Sequence, residues 1–277
     1  MPEKLTLKDL APYPIAYRAC PAKVNIGLFI KGRRPDGYHD LETVFYPVTA
    51  LFDDLTIQPA ADLPQDALML SGQPVQGPTT HNLVVRALAL IREAGFDVPA
   101  LRIRLHKRIP AGAGLGGGSS NAAQMLLAVR ELFQLNLSVD QLIEMARSLG
   151  ADVPFFLQPK PVLATGTGDH FADIQFQEPF EVKVVTPGLF SSTAEAYRNL
   201  DLAHCTTTGD LAAALAQPFD FWHEIVVNDF EHEVFQRFPV LPKLKQALYN
   251  EGAVYAAMTG SGSAMFGLFR VGLFAQR

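Results

Sequence analysis

The chain has 277 residues, 48% of them hydrophobic and 18% charged, which is enough apolar material for two domains or one large one. With 28 acidic against 23 basic side chains the net charge is −5, so no global positive field points to nucleic acid as a partner. No apolar run reaches the ~20 residues of a membrane span, and the N-terminus carries Glu3, Lys4, Lys8 and Asp9 in place of a signal-peptide core, so a cytoplasmic protein without a membrane partner is expected.

From Ala19 to Ile30, Val24, Ile26, Leu28 and Ile30 alternate with Asn25, Gly27 and Phe29, a strand of period two. Pro35-Asp36-Gly37 signals a turn, and Leu41 to Val48 reads as the strand returning from it. Asp54 to Gln58 reads as a further strand, followed by a Pro/Asp/Gly-rich loop from Pro59 to Pro78 that contains Leu68-Met69-Leu70. Asn82 to Ala94 spaces Leu83, Ala87, Leu90 and Ile91 as one helix face closed by Gly95. Leu101 to Ile109 alternates apolar with basic residues, a strand with one polar face. Asn121 to Leu135 carries the apolar helical stripe Ala122, Met125, Leu126, Val129, Leu132 and Phe133, which reads as core packing. Ser138-Val139-Asp140-Gln141 is a capping box opening a helix that ends at Gly150. Ala151-Asp152-Val153-Pro154 follows directly.

Past about Pro161, strand-like runs (Val182 to Val185, Val254 to Met258, Ala264 to Phe269) are interleaved with helical ones near Thr193 to Leu200, Asp210 to Ala216, Glu224 to Phe238 and Leu241 to Asn250. This predicts a second α+β unit, and domains at 1–160 and 161–277. Thr259-Gly260-Ser261-Gly262-Ser263 reads as a tight turn between two strands. Cys20 and Cys205 are the only cysteines; they lie far apart without metal-ligand spacing, which points to a reducing compartment and no disulfide framework.

The stretch richest in chemistry is Pro110-Ala111-Gly112-Ala113-Gly114-Leu115-Gly116-Gly117-Gly118-Ser119-Ser120. Five glycines in seven positions together cost a few kcal/mol at ~0.5–1 kcal/mol each; the candidate that offsets the cost is a bound anion, and the plainer alternative is a structural glycine turn. Bare backbone closes around phosphate oxygens, and a following helix aims unpaired N–H groups and its positive dipole end at them. Ser119 and Ser120 fit as helix caps or as hydroxyls reaching a phosphate or Mg²⁺. A Walker-type loop is ruled out, because Gly118 stands where that motif needs lysine. Gly112 to Gly117 does match Gly-x-Gly-x-x-Gly, yet the preceding strand has a polar face, unlike the doubly buried strand of a dinucleotide fold. Basic residues at Lys31-Gly32-Arg33-Arg34 and Lys107-Arg108 suit a small anionic ligand.

Taken together, Pro21-Ala22-Lys23-Val24-Asn25, the glycine run and Thr259 to Ser263 resemble the three motifs of the galactokinase, homoserine kinase, mevalonate kinase and phosphomevalonate kinase superfamily. Gly37-Tyr38-His39, Asn82-Leu83-Val84-Val85-Arg86, Lys107-Arg108-Ile109-Pro110, Gly150-Ala151-Asp152-Val153-Pro154 and Asn228-Asp229-Phe230-Glu231 extend the resemblance from Pro21 to about Phe269. They narrow it to kinases of a cytidine diphosphate sugar alcohol in the non-mevalonate route to isoprenoid precursors. The resemblance implies an α+β, two-domain small-molecule kinase with a two-layer N-terminal ATP domain and a smaller α+β C-terminal domain, using ATP and Mg²⁺. It implies Asp152 as the base for the acceptor hydroxyl and Lys23 beside it. Asn82 and Lys107 match the adenine and ribose pocket, and Pro110 to Ser120 the phosphate loop. On the acceptor side Tyr38 matches an aromatic stacking on cytosine, His39 a hydrogen-bonding partner of the base, Asn25 a contact to the diphosphocytidyl or sugar-alcohol part, Tyr197 the opposing aromatic and Thr193 a contacting hydroxyl. The metal ligands stay open, with Ser120 a candidate, and the last helix and strand of the second domain are expected to be shortened. The plainer alternatives are a helix cap for Asp152, a solvated strand end for Lys23, surface positions for Tyr38 and His39, and a core position for Tyr197. The rival functions are a homoserine- or mevalonate-type kinase and a nucleotide-binding protein without catalysis.

Overall fold

The structure, a computed structural model, describes residues 15–60, 62–75 and 77–272; the charged N-terminal segment with Glu3, Lys4, Lys8 and Asp9 lies outside them. Contacts gather the chain into two units that do not follow its order. One holds the residues up to Cys20, Phe52–Arg108 and Gly118–Leu157, the other Pro21–Leu51, Ile109–Gly117 and Gln158–Arg277. Two long strands, β1 (Ala16–Arg33) and β2 (His39–Pro59), pair with each other and contribute to both. The stretches Leu41–Val48 and Asp54–Gln58 are thus one strand rather than two, since no Gly, Asn or Pro-Asp turn separates them.

In the first unit β3 (Ala67–Gly72) runs parallel to β4 (Leu101–Lys107), and the last residues of β2 run antiparallel to it, from Asp54↔His106 to Pro59↔Leu101. β3 contains the Leu68-Met69-Leu70 run expected in a loop. It is an edge strand exposed over most of its length, so it lacks the alternation by which strands are recognised. β4 buries Leu101, Ile103, Leu105 and Lys107 and exposes Arg104 and His106, as its sequence alternation predicts. Helix α1 (Leu83–Glu93) turns Val84, Leu88 and Ile91 inward, and α2 (Gly117–Leu132) buries Met125, Leu126 and Val129. α2 begins four residues before the expected Asn121, because its first turn asks only for allowed backbone angles, which Gly117 and Gly118 supply. It ends before Leu135, where Gln134 takes a left-handed φ of +50°. Helix α3 (Val139–Leu149) opens on the predicted capping box: Gln141 N donates to Ser138 Oγ (3.2 Å) and Ser138 N to Gln141 Oε1 (2.9 Å).

In the second unit the first part of β2 pairs antiparallel with β5 (Val162–Thr165), and β5 with β6 (His170–Asp173). A second antiparallel sheet is built from β7 (Phe180–Val185), β8 (Tyr255–Met258) and β9 (Met265–Arg270), with β9 in the centre. The helices are α4 (Thr193–Asn199), α5 (Leu211–Leu215), α6 (Phe219–Ile225), α7 (Glu231–Arg237) and α8 (Val240–Asn250). One core cluster gathers Trp222, Tyr255 and Phe266, another Phe230, Leu241, Leu248 and Phe269. The single helix expected from Glu224 to Phe238 is broken between α6 and α7. There the backbone runs beside β1, with Leu28 N donating to Val227 O (2.8 Å) and Asp229 N to Leu28 O (3.0 Å). Asn228 and Asp229 hold it out of the helix with their side chains. Asn228 Nδ2 donates to Met258 O (2.7 Å) and Gly260 O (2.9 Å), while the Asp229 carboxylate accepts from Ile30 N (2.6 Å) and Thr206 N (2.9 Å). Among the described residues no helix is long and apolar enough to cross a membrane.

Candidate active site

The glycine run folds into the loop between β4 and α2. Gly112, Gly114 and Gly116 have φ of +67°, +76° and +69°, so left-handed residues alternate with ordinary ones, the backbone pattern that forms an anion nest. Four successive carbonyls are taken up by the protein: Gly112 O accepts from Ser191 N (3.2 Å), Ala113 O from Ala264 N (3.1 Å), Gly114 O from Thr259 Oγ1 (3.1 Å) and Leu115 O from Lys23 N (3.0 Å). The amides of Ala111 to Gly116, by contrast, donate to no protein acceptor among the described residues. At Gly114 the loop lies so close to the β8–β9 turn that a Cβ would sit 2.0 Å from Thr259 O. Helix α2 starts at Gly117 and adds the unpaired N–H groups of its first turn. In that turn the Ser120 hydroxyl is buried without a hydrogen-bond partner among the described residues.

The period of two puts Lys23 and Asn25 on the same face of β1. Both are buried, Lys23 at 4% exposure, so the solvated strand end is excluded. Lys23 Nζ donates to Asn25 Oδ1 (2.6 Å) and lies 4.9 Å from the centre of the Phe45 ring. Asn25 Nδ2 donates to Thr43 Oγ1 (2.9 Å), and Asn25 N donates to Thr259 Oγ1 (3.0 Å). Thr259 Oγ1 is also within reach of Asn25 Oδ1 (3.2 Å) as well as Gly114 O. A single threonine therefore ties the third motif to the glycine loop and to the strand that carries Lys23.

Lys107 falls on the buried face of β4, where a charge needs a partner. Its ammonium pairs with the fully buried Asp53 and donates to Asn121 Oδ1 (2.8 Å). Asn121 Nδ2 and Arg108 N also donate to the Asp53 carboxylate, at 2.9 and 2.7 Å. The network closes the segment from Arg108 to Ser120 at its two ends. Asn82 caps α1, its Oδ1 accepting from Val84 N (3.1 Å). Asp152 is half-buried in the turn between Gly150, which ends α3, and a 3-10 turn over Pro154–Leu157; Val153 N donates to Gly150 O (3.1 Å).

Of the residues expected to meet the acceptor, the His39 ring stacks on Tyr197 (centroids 5.0 Å apart, planes at 24°), and Tyr197 meets Phe230 edge-on at 4.8 Å. Burial, and secondarily the charge of Arg33, holds the His39 pKa below its ordinary value. Tyr38 is 67% exposed. Thr193 Oγ1 bonds Ser261 Oγ (2.9 Å) in the third motif. Asp53 and Thr43 are not expected at the site from the sequence, while Asn121 and Thr259 enter it only as members of longer motifs. The first was detectable, since Asp53 shares the phase of the buried Leu55 and Ile57 and an acid in that phase calls for a buried cation.

Comparisons with known proteins show the family. Residues 82–159 match the model of the GHMP kinases N terminal domain and residues 207–271 that of the GHMP kinases C terminal domain. The chain is 46% identical over 251 residues to 4-diphosphocytidyl-2-C-methyl-D-erythritol kinase of Bacteroides thetaiotaomicron, covering 90% of each chain. It is 45% identical over 252 residues to the protein of the same name from Porphyromonas gingivalis, again covering 90% of each. A crystal structure of 4-(cytidine 5'-diphospho)-2C-methyl-D-erythritol kinase superposes with a TM-score of 0.74 at 38% identity, over 91% of this chain and 90% of that one. The chain belongs to the 4-diphosphocytidyl-2-C-methyl-D-erythritol kinases, within the GHMP kinases.

Proposed function

We propose that the protein transfers the γ-phosphoryl group of ATP to the 2-hydroxyl of 4-diphosphocytidyl-2-C-methyl-D-erythritol, giving the 2-phosphate and ADP, in the non-mevalonate route to isoprenoid precursors. The observation that carries this reading is the row of amides from Ala111 to Gly116, unpaired among the described residues, with the carbonyls of residues 112–115 turned into the protein. That polarity suits phosphate oxygens and repels cations. Pro110 to Ser120 cradle the phosphates, and Asn82 and Lys107 border the adenine and ribose. The residues that hold ATP and do the chemistry fall within 1–160, while 161–277 supplies Thr193 and Tyr197 to the acceptor alongside Asn25, Tyr38 and His39.

Asp152 takes the proton of the 2-hydroxyl as its oxygen bonds to the γ-phosphorus, and the bond to the β-phosphate oxygen breaks with its electron pair left on ADP. Lys23, its ammonium directed by Asn25, holds the acceptor oxygen and offsets charge on the group in flight. Kinases of this kind take ATP with Mg²⁺, and the partnerless Ser120 hydroxyl fits that ion, which prefers oxygen ligands and keeps several waters. Among the described residues there is no group of three or more His, Cys, Asp or Glu that could hold a metal. Bound there, Mg²⁺ supplies neutralisation of the β- and γ-phosphate charge.

A coupled assay for ADP release tests the reading. ADP should form only when Mg-ATP and the cytidine diphosphate acceptor are both present, and homoserine or mevalonate should not replace that acceptor. Binding of ATP without ADP formation would favour the non-catalytic alternative.

A further inference from the structure

Gly27 interrupts β1 with a φ of +65°, a conformation strands do not use and only glycine adopts freely. Its carbonyl is met by a side chain: Thr43 Oγ1 donates to Gly27 O at 2.6 Å. A carbonyl oxygen can only accept, so the one hydroxyl proton of Thr43 is committed there. Thr43 Oγ1 therefore meets Asn25 as an acceptor, and the Asn25 group opposite it, at 2.9 Å, must be the NH₂. That fixes Asn25 Oδ1 on the other side, facing Lys23 Nζ at 2.6 Å and Thr259 Oγ1 at 3.2 Å. The two ends of an amide are nearly equal in shape, and only the bonding network distinguishes them. With the amide reversed, an NH₂ would confront an ammonium, donor against donor. Thr43 and Asn25 are 1% and 2% exposed, so water has little access to compensate.

We infer that Thr43 is a positioning residue: by locking the Asn25 amide in one orientation it holds the Lys23 ammonium where the acceptor hydroxyl is phosphorylated. The inference rests on the role proposed for Lys23. It assigns a catalytic consequence to a buried threonine whose only link to the chemistry is the direction of two hydrogen bonds.

The test is a double-mutant cycle on the full chain, read by transfer of radiolabelled γ-phosphate so that low turnover stays measurable. Thr43→Val keeps the shape of the side chain and removes the hydroxyl. It should lower kcat by about tenfold, the worth of one buried hydrogen bond, with the KM for ATP within about twofold, and Thr43→Ser should restore kcat. In the Lys23→Met background Thr43→Val should cost less than about twofold, because what it positions is gone. If Lys23→Met itself retains wild-type kcat, the role of Lys23 is wrong and the inference falls with it. If Lys23→Met collapses kcat but Thr43→Val does not, Lys23 stands and the positioning role is overturned. An equal loss in both backgrounds overturns it as well. Thr43→Ala, which adds no methyl to a buried site, is read in the same way should the valine variant not fold.

Discussion

Gly114→Ala probes the loop where it is most constrained. Its φ of +76° is a left-handed conformation, which costs an alanine ~1–2 kcal/mol. The added Cβ would lie 2.0 Å from Thr259 O, 2.9 Å from Thr259 C and 3.3 Å from Gly262 O. All three are backbone atoms of the β8–β9 turn and cannot rotate away. Overpacking of that kind adds roughly 1–3 kcal/mol, so the total is about 2–5 kcal/mol. It will emerge either as lost stability or as a loop pushed off Thr259, and in both cases the amide row is displaced. Gly118→Ala is the internal control: its Cβ meets only Leu83 Cδ1 at 3.6 Å, an ordinary contact, and alanine favours a helix by up to about 1 kcal/mol. Calorimetric titration with a non-hydrolysable ATP analogue, alongside thermal unfolding, should show Gly114→Ala binding at least tenfold more weakly or melting several degrees lower, and Gly118→Ala unharmed in stability. A Gly114→Ala variant with both affinity and melting temperature unchanged would refute the close approach.

Asp53→Asn should destabilise the fold by about 3–5 kcal/mol in urea titrations, because it leaves the Lys107 ammonium buried without its counter-charge; adding Lys107→Met should recover much of the loss, and a single-mutant cost below about 1 kcal/mol would contradict the network. Asp152→Asn should lower kcat by about 10²–10⁴-fold with little change in ATP affinity, and near-normal turnover would remove it as the base. His39 makes stability depend on pH with a definite sign. Its folded pKa lies below the ordinary 6.5, so as pH falls the unfolded chain takes up the proton first, and stability drops from pH 6.5 until the folded pKa is passed. Unfolding titrations of His39→Gln should lack that part of the slope; an unchanged slope would contradict the burial of the ring.

What the sequence makes legible is local. The capping box at Ser138 and the alternation of β4, which puts Lys107 on the buried face, each need only neighbours within a few residues. Lys23 and Asn25 enter through the resemblance of Pro21 to Asn25 to the first motif of the kinase superfamily; the strand's alternation says only that they share a face. The ties of Thr43 and Thr259 to Asn25 are not legible, because they span 18 and 234 residues; nothing near Thr43 announces its own, and Thr259 is marked only as part of the third motif. The break between α6 and α7 is hidden for the same reason: local spacing favours a helix through Asn228, and the carbonyls and amides that draw Asn228 and Asp229 away belong to β1 and the β8–β9 turn. α2 starts early because the anion loop and the helix share glycines that propensity assigns to loop alone.

The central claim is that the amides of Ala111 to Gly116 are the groups that grip the nucleotide's phosphates. Amide proton and nitrogen shifts of those residues, followed by NMR as adenosine and then a Mg²⁺-loaded non-hydrolysable ATP analogue are added, address it directly. The account predicts large downfield proton shifts at Gly112, Gly114 and Gly116 with the analogue and little response to adenosine. Amides that stay in place at saturating analogue, or that respond equally to adenosine, would contradict it.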